Sequence, residues 1–501
     1  MERVDEAAAV GSRPSREGRR SHRAAYPSLF LLFLLFLGLG AILRIPTFSD
    51  HVFNTDEAYL ATQAQVLVDG GRLYVDTVDR KPPAVPYVYA AVFWLTGSDH
   101  LGPVRALAVV AHALTALLLA AEARRRFRWP GAPLAAGLLF LLAATAFFPA
   151  DAQAANFEVF MLPIMTGAVL LGIRYRPAAA GATLGLATLT KQTAAFALIP
   201  LVLLAWRARR RRGLAVLAAA FLAPILAAAL AFGPRDFFFW VFTGNGGYLD
   251  PQGVLGYALS LGARQTGWFL FGSAALVLLL PFAWKRRRDD VDLWLWLLSG
   301  ILAVFTGLRF FPHYYLQLLP PLTLLAIRGL DCRPRRLRAS SVACVAAVAL
   351  ACTSYFLVPA YVDGNNHDTR VALDVAKFID RHTVAGQKVL VWGQAPEVYW
   401  ASQRRPASRF ATTGFVTGTS GGRPLDHVGE QYAVAGAWHD FLVELHKTPP
   451  VLIANMSTAD QRHAGHYPPR NFPKFQRFLD RGGWHPVASV DGVEILRPRG
   501  S

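Results

Sequence analysis

The apolar positions of this chain are bunched rather than spread. Runs of roughly 15–22 apolar residues recur from Tyr26 to Pro359, each about long enough to cross ~30 Å of hydrocarbon. Backbone groups in hydrocarbon must bond within their own segment, so these runs predict helices. In order they are Tyr26–Leu43, Pro103–Ala121, Ala132–Phe148, Val159–Ile173, a shorter pair Ala178–Leu189 and Thr193–Trp206, Leu214–Phe232, Gly267–Trp284, Val291–Leu308, Leu316–Ile327 and Ser340–Pro359. The expectation is a polytopic α-helical membrane protein with about 11 transmembrane helices. Beyond Tyr361 the pattern changes. "TRVALDVAKFID" has helical periodicity, "KVLVWG" and "VLIAN" read as buried strands, and "EVYWASQ" reads as a short helix. The expected divisions are a disordered polar tail over residues 1–25, a membrane domain over 26–359 whose first external loop is 44–101, and an extracytoplasmic α/β domain over 360–501.

The net charge of +18 changes the picture only through its distribution. Arginines sit in short clusters between apolar runs: "RPSREGRRSHR", "EARRRFR", "RYR", "WRARRRRG", "KRRR" and "RPRRLR". A nucleic-acid binder needs a basic face on a folded domain, and this alternation offers none, so nucleic acid is not an expected partner. Cytoplasmic loops retain Lys and Arg, and threading the spans through these clusters puts every cluster on one side. That predicts a multi-pass plasma-membrane protein with a cytoplasmic N-terminus and an uncleaved first helix. The 3 cysteines form neither a disulfide framework nor a zinc spacing.

Ionisable residues gather on the opposite side. "TDEAYLATQAQVLVDGG" follows the first span and reads as an amphipathic helix along the membrane interface, capped by Thr55 and ended by Gly70-Gly71. Asp56 and Glu57 fall in its first turn, where acids favour the helix dipole and where that dipole also keeps a carboxylate ionised, as a general base must be. "DRKPP" follows, with Arg80 and Lys81 suited either to lipid headgroups or to a phosphate. "ANFE" brings Asn156 and Glu158 to a bilayer boundary, "TKQT" places Lys191 at a hinge, and "RFFPHYY" places Arg309, His313 and Tyr314 against the positive-inside trend. Each is compatible with an interfacial anchor; their convergence from five regions favours a site. Tyr59 and Tyr314 stand beside them as candidate sugar or acceptor contacts, with Asn156 and Glu158. No strong metal-ligand cluster is legible, although Asp56, Glu57 and His313 are candidates for a divalent metal.

Three stretches, "TDEAYLATQAQVLVDGGRLYVDTVDRKPP", "GATLGLATLTKQTAAFALIP" and "LRFFPHYYLQLLPPLTLLAIRGL", resemble the bacterial branch of the dolichyl-phosphate-mannose protein mannosyltransferase family, to which the lipid A aminoarabinose transferase is related. The resemblance covers about Leu29 to Leu330. It implies a GT-C fold and an inverting transfer of a sugar from a polyprenyl-phosphate donor to a lipid, glycan or protein acceptor at the outer face of the bilayer. It implies Asp56 as the base with Glu57 positioning it, Lys81 on the lipid phosphate with Arg80, Lys191, Arg309 and His313 as helpers, and Glu158 on the sugar. A lipid-linked glycan flippase is the alternative; it calls for ionisable groups near the midplane and repeated halves, and the apolar runs show neither.

Overall fold

The computed structural model describes residues 28–245, 254–362, 367–424, 427–459 and 467–499. The expected disordered tail lies outside these residues, as does part of the aromatic loop around residues 246–253.

The membrane half is helical. Its main helices are α1 (Leu29–Leu43), α2 (Thr55–Val68), α3 (Ala84–Thr96), α4 (Leu101–Arg126), α5 (Ala132–Ala146), α6 (Phe157–Ile173), α7 (Pro177–Thr190), α8 (Leu198–Phe232), α9 (Pro234–Val241), α10 (Leu255–Gly272), α11 (Val291–Phe305), α12 (Leu319–Asp331) and α13 (Arg335–Val362). Helix α4 is the central post. Its buried face carries Ala108, Ala113, Ala116 and Ala120, small side chains that let α1, α5 and α6 approach closely. Close approach also involves Gly137: a Cβ there would run into the Phe36 ring, so a larger residue would push that buried ring out of the α1–α5 contact.

Most apolar runs became helices near their expected limits, with two differences. Helix α8 is not one of them: its non-helical backbone at Arg209 and Arg210 leaves the runs Thr193–Trp206 and Leu214–Phe232 as separate arms around the arginine loop, as expected. The expected span Gly267–Trp284 instead starts at Leu255 and breaks at Ser273, with a 74° bend into Ala274–Arg286. Finally, α3 lies within what the sequence presents as loop. Among the described residues three helices are long and apolar enough to cross a membrane, the bent pair makes up to a fourth, and five more apolar helices have 10–17 residues. The expected figure of about eleven spans is therefore not fixed by helix length.

The C-terminal domain is a mixed α/β unit. Strands β1 (Lys388–Trp392), β2 (Arg405–Pro406), β3 (Ile453–Asn455), β4 (His485–Val490) and β5 (Val493–Arg497) form one sheet in the order β2-β1-β3-β5-β4. β1 runs parallel to both β2 and β3, while β5 pairs antiparallel with β3 and β4. Helices α14 (His367–His382), α15 (Glu397–Ser402), α16 (Ala437–Lys447) and α17 (Pro473–Arg481) complete it. This domain sits directly on the membrane half: Trp400 on α15 belongs to the same apolar cluster as α2, and its indole N–H donates to the Asp99 carbonyl at 3.0 Å.

Candidate active site

The elements between α1 and α4 build one wall of a chamber beneath the C-terminal domain. Helix α2 does not lie open along an interface; it is enclosed by α3 and α15, and Thr62, Gln63 and Gln65 are as buried as its leucines. Its cap is Asn54 rather than Thr55: the Asn54 Oδ1 accepts the Asp56 N–H at 2.8 Å, and the Asn54 Nδ2 donates to the Ala150 carbonyl at 2.8 Å. Thr55 turns outward and donates to Glu397 Oε1 of the C-terminal domain at 2.5 Å.

The neighbouring acids Asp56 and Glu57 part company. Successive helical residues point about 100° apart, and here that turn takes Glu57 off the wall that Asp56 lines. Asp56 is exposed and lines the chamber. Glu57 is fully buried; it receives the Arg105 guanidinium at 2.7 Å and 2.9 Å, while its other oxygen accepts the Ala155 N–H at 2.8 Å. Glu57 therefore ties the first turn of α2 to α4 and to the 149–156 segment, and takes no place on the cavity wall.

The chamber holds about 450 Å³ and brings together Asp56, Tyr59, Asp79, Arg80, Lys81, Lys191, Arg309 and Tyr314. Its cations are seated on aromatic faces. Arg80 lies 4.6 Å from the Phe415 ring, Lys81 4.7 Å from Phe157 and Lys191 4.0 Å from Tyr314. Lys191 is also ion-paired with Glu158, which sits behind it and off the cavity wall. Asn156 is likewise buried away from the chamber, with neither amide atom paired among the described residues. Burial pushes the Asp79 carboxyl above its ordinary value despite Lys81 and the Arg80 N–H, and burial raises the Tyr59 phenol well above its own.

A second chamber of about 320 Å³ adjoins the first through Asp56, Arg80 and Lys81, and adds Asp151 and His313. Asp151 accepts the His313 N–H at 3.0 Å and meets its Nδ1 at 2.7 Å. Burial alone would lower the imidazole's pKa; Asp151 and then Glu158 outweigh it and hold it above the ordinary value. Donor atoms of Asp56, Asp151 and His313 all lie within 4.8 Å of one another. Two carboxylates and an imidazole at that span fit a divalent first-row cation. Of the acids the sequence left open, Glu57 is committed to Arg105, and Asp151 stands with Asp56 and His313 instead.

The sequence reading missed Asp79, Asp151, Arg105 and every contribution of the C-terminal domain, of which Gln394, Thr412 and Phe415 line the first chamber. A partial signal existed for the acids, since Asp79 stands beside Arg80 and Asp151 lies five residues before Asn156 in a short loop.

Comparison with known proteins gives this geometry a setting. No curated protein matches the chain. ArnT from Cupriavidus metallidurans, captured bound to undecaprenyl phosphate, aligns over 93% of this chain and 98% of its own at 16% identity with a TM-score of 0.60. The archaeal oligosaccharyltransferase AglB from Archaeoglobus fulgidus, in complex with an inhibitory peptide and a dolichol-phosphate, aligns over 85% of this chain and 69% of its own at 12% identity with a TM-score of 0.53. The expected kinship is met at the level of the GT-C fold, and the family model that matches is a different one from the mannosyltransferase family. The chain is a multi-pass membrane protein of the GT-C glycosyltransferase fold, related in architecture to ArnT, and its residues 85–312 match glycosyltransferase family 87.

Proposed function

We propose that this protein transfers a sugar from a polyprenyl-phosphate donor to an acceptor hydroxyl at the outer face of the plasma membrane, with inversion. One observation carries the reading: a single chamber at the end of the helical bundle has an exposed carboxylate, Asp56, facing Arg80, Lys81 and Lys191. Asp56 takes the proton of the acceptor hydroxyl as its oxygen bonds to the anomeric carbon. The bond from that carbon to the phosphate oxygen breaks, and its electron pair leaves with the polyprenyl phosphate. The departing anion is received by Lys81 and Arg80; fixed cations stabilise it by a few kcal/mol each at most. Neutralising that charge replaces the acid that a glycoside hydrolase supplies from a second carboxyl. Glu57 positions Asp56 through Arg105, and Glu158 positions Lys191. ArnT's complex with undecaprenyl phosphate supports the donor class.

Asp56, Asp151 and His313 are the residues that would hold a divalent cation, which when bound would add positive charge beside the reacting groups. Titrating metal-stripped protein with Mn²⁺ or Zn²⁺ by calorimetry reads this directly; the site is absent if Asp151→Asn leaves the isotherm unchanged.

The transfer itself is tested with purified protein, polyprenyl-phosphate sugars and membrane extracts as the acceptor source. Asp56→Asn is expected to lower kcat about a thousandfold while polyprenyl-phosphate binding persists. Full transfer by that variant would remove the assigned base. For sidedness, a cysteine introduced at Thr55 should react with an impermeant reagent on whole cells, and one in the Arg207–Arg212 loop should not. The reverse pattern overturns the orientation.

A further inference from the structure

Three cavities meet under the C-terminal domain. A third, of about 540 Å³, lies between α10, the 309–312 and 419–424 segments and Val428, and shares Thr55, Asp56 and Gln394 with the other two. Gln394 is thus the residue of the C-terminal domain that reaches every chamber.

Its place in the sheet explains how. Gln394 follows the carboxyl end of β1, and β1 is flanked by parallel strands on both sides. From β1 the chain goes to one neighbour through α15 and later to the other through α16. The strand order therefore reverses at β1, and the crevice at such a switch point is where open α/β sheets bind ligands. The loop is pinned there: the Gly393 carbonyl accepts the Thr413 N–H at 3.0 Å. The Gln394 Nε2 is nevertheless buried without a hydrogen-bond partner among the described residues. A buried donor left unmade is costly, which marks it as a group awaiting a ligand.

The chemistry of this roof differs from that of the floor. Lys81, Arg80 and Lys191 come from the membrane half, whereas Gln394, Thr412, Thr419 and Ser420 are neutral amide and hydroxyl groups. Arg423, the one charged residue of the C-terminal domain on these walls among the described residues, donates to the Leu308 and Gly307 carbonyls. A carboxamide both donates and accepts, as does a hydroxyl, so this surface matches the donor-and-acceptor pattern of a polyol, while the fixed positive charge that favours a phosphate lies on the floor.

We infer that the C-terminal domain is the sugar-reading half of the site, with Gln394 as a specificity-determining residue that hydrogen-bonds hydroxyls of the glycosyl group while the membrane half holds its phosphate. This rests on the proposed donor class, and the two are separable by experiment. The full-length protein is titrated with bare undecaprenyl phosphate and with a set of undecaprenyl phosphates each bearing one hexose or pentose. Wild type should bind at least one sugar-bearing lipid about tenfold or more tightly than the bare lipid. Gln394→Ala, the size-preserving but apolar Gln394→Met and Thr412→Val should erase that difference and leave bare-lipid binding unchanged, which also reports an intact fold. The inference is overturned if wild type shows no preference, if the variants keep it, or if they lose bare-lipid binding in equal measure. Failure of wild type to bind any polyprenyl phosphate would remove the donor class itself, and this inference with it.

Discussion

The two ends of the helical bundle use the same residue types to opposite effect. At the end away from the C-terminal domain, Arg126 reaches Asp290 at 3.1 Å, Asp292 at 2.5 Å and Glu122 at 3.5 Å, and Arg328 reaches Asp290 at 2.6 Å. Those acids are buried, and each meets a guanidinium from another helix or turn. At the other end Asp56 faces a chamber, and the cations opposite rest on aromatic rings. A closed network spends its charge on joining α4, α11 and α12. An open one leaves a cavity between its charges. Composition does not separate the two ends; what separates them is whether room for another molecule lies between the opposite charges.

This contrast can be attacked from both sides. Asp290→Ala leaves Arg126 and Arg328 short of a partner, and breaking a buried pair from one side costs about 3–5 kcal/mol. Denaturation in detergent should show that loss, while transfer kinetics well below the melting temperature stay as in wild type; a changed kcat would mean the two ends are coupled. Glu57→Gln tests the buried Glu57–Arg105 pair at the open end. It should cost about 2–3 kcal/mol, because a neutral amide still accepts from Arg105 but no longer balances its charge. Unlike the Asp290 change it should also lower kcat, since the mount of Asp56 is loosened. Lys81→Ala should weaken binding of polyprenyl phosphate by about tenfold, some 1.4 kcal/mol, with little change in stability. A large drop in melting temperature instead would place Lys81 among the structural charges.

The smallest expected effect carries a sign. The Asp79 carboxyl is raised by burial, so the folded state holds its proton more readily than the unfolded chain. The stabilisation is complete below the unfolded carboxylate range and is lost as pH rises through the folded value. Asp79→Asn should therefore raise the melting temperature slightly at pH 7, and the gain should vanish toward pH 4. A gain that grows toward acid would reverse the assignment.

Particular residues show what the sequence made legible. The apolar runs and the arginine clusters between them announced the helices, because hydrocarbon imposes one solution on the backbone. Asp56, Lys81, Arg80, Lys191, Arg309 and Tyr314 were found as outliers on a side where charge is scarce, and one chamber holds them together. Glu57 was indistinguishable by charge from Asp56; only its position one residue on, a quarter-turn and more around the helix, and the presence of Arg105 on α4 separate them. Asp151 sits in a four-residue helix that no periodicity marks. The helix α3 was obscured because its 13 residues are too few to read as a span. Gln394 and Thr412 belong to a domain whose local pattern gives strands and helices but no hint of what it leans against.

One joint in the structure bears on how the protein comes into being. Arg309 of the membrane half donates to the Ser420 hydroxyl and the Gly421 carbonyl, and Arg423 returns the gesture to the 307–308 backbone, where Leu308 and Phe310 are both held at positive φ. Residues 420–423 are synthesised after every apolar run. A ribosome that has finished the membrane half has therefore not yet made a working chamber. Its lid comes out last, and it has to reach the same side of the bilayer as Asp56 before the loop beneath it can settle.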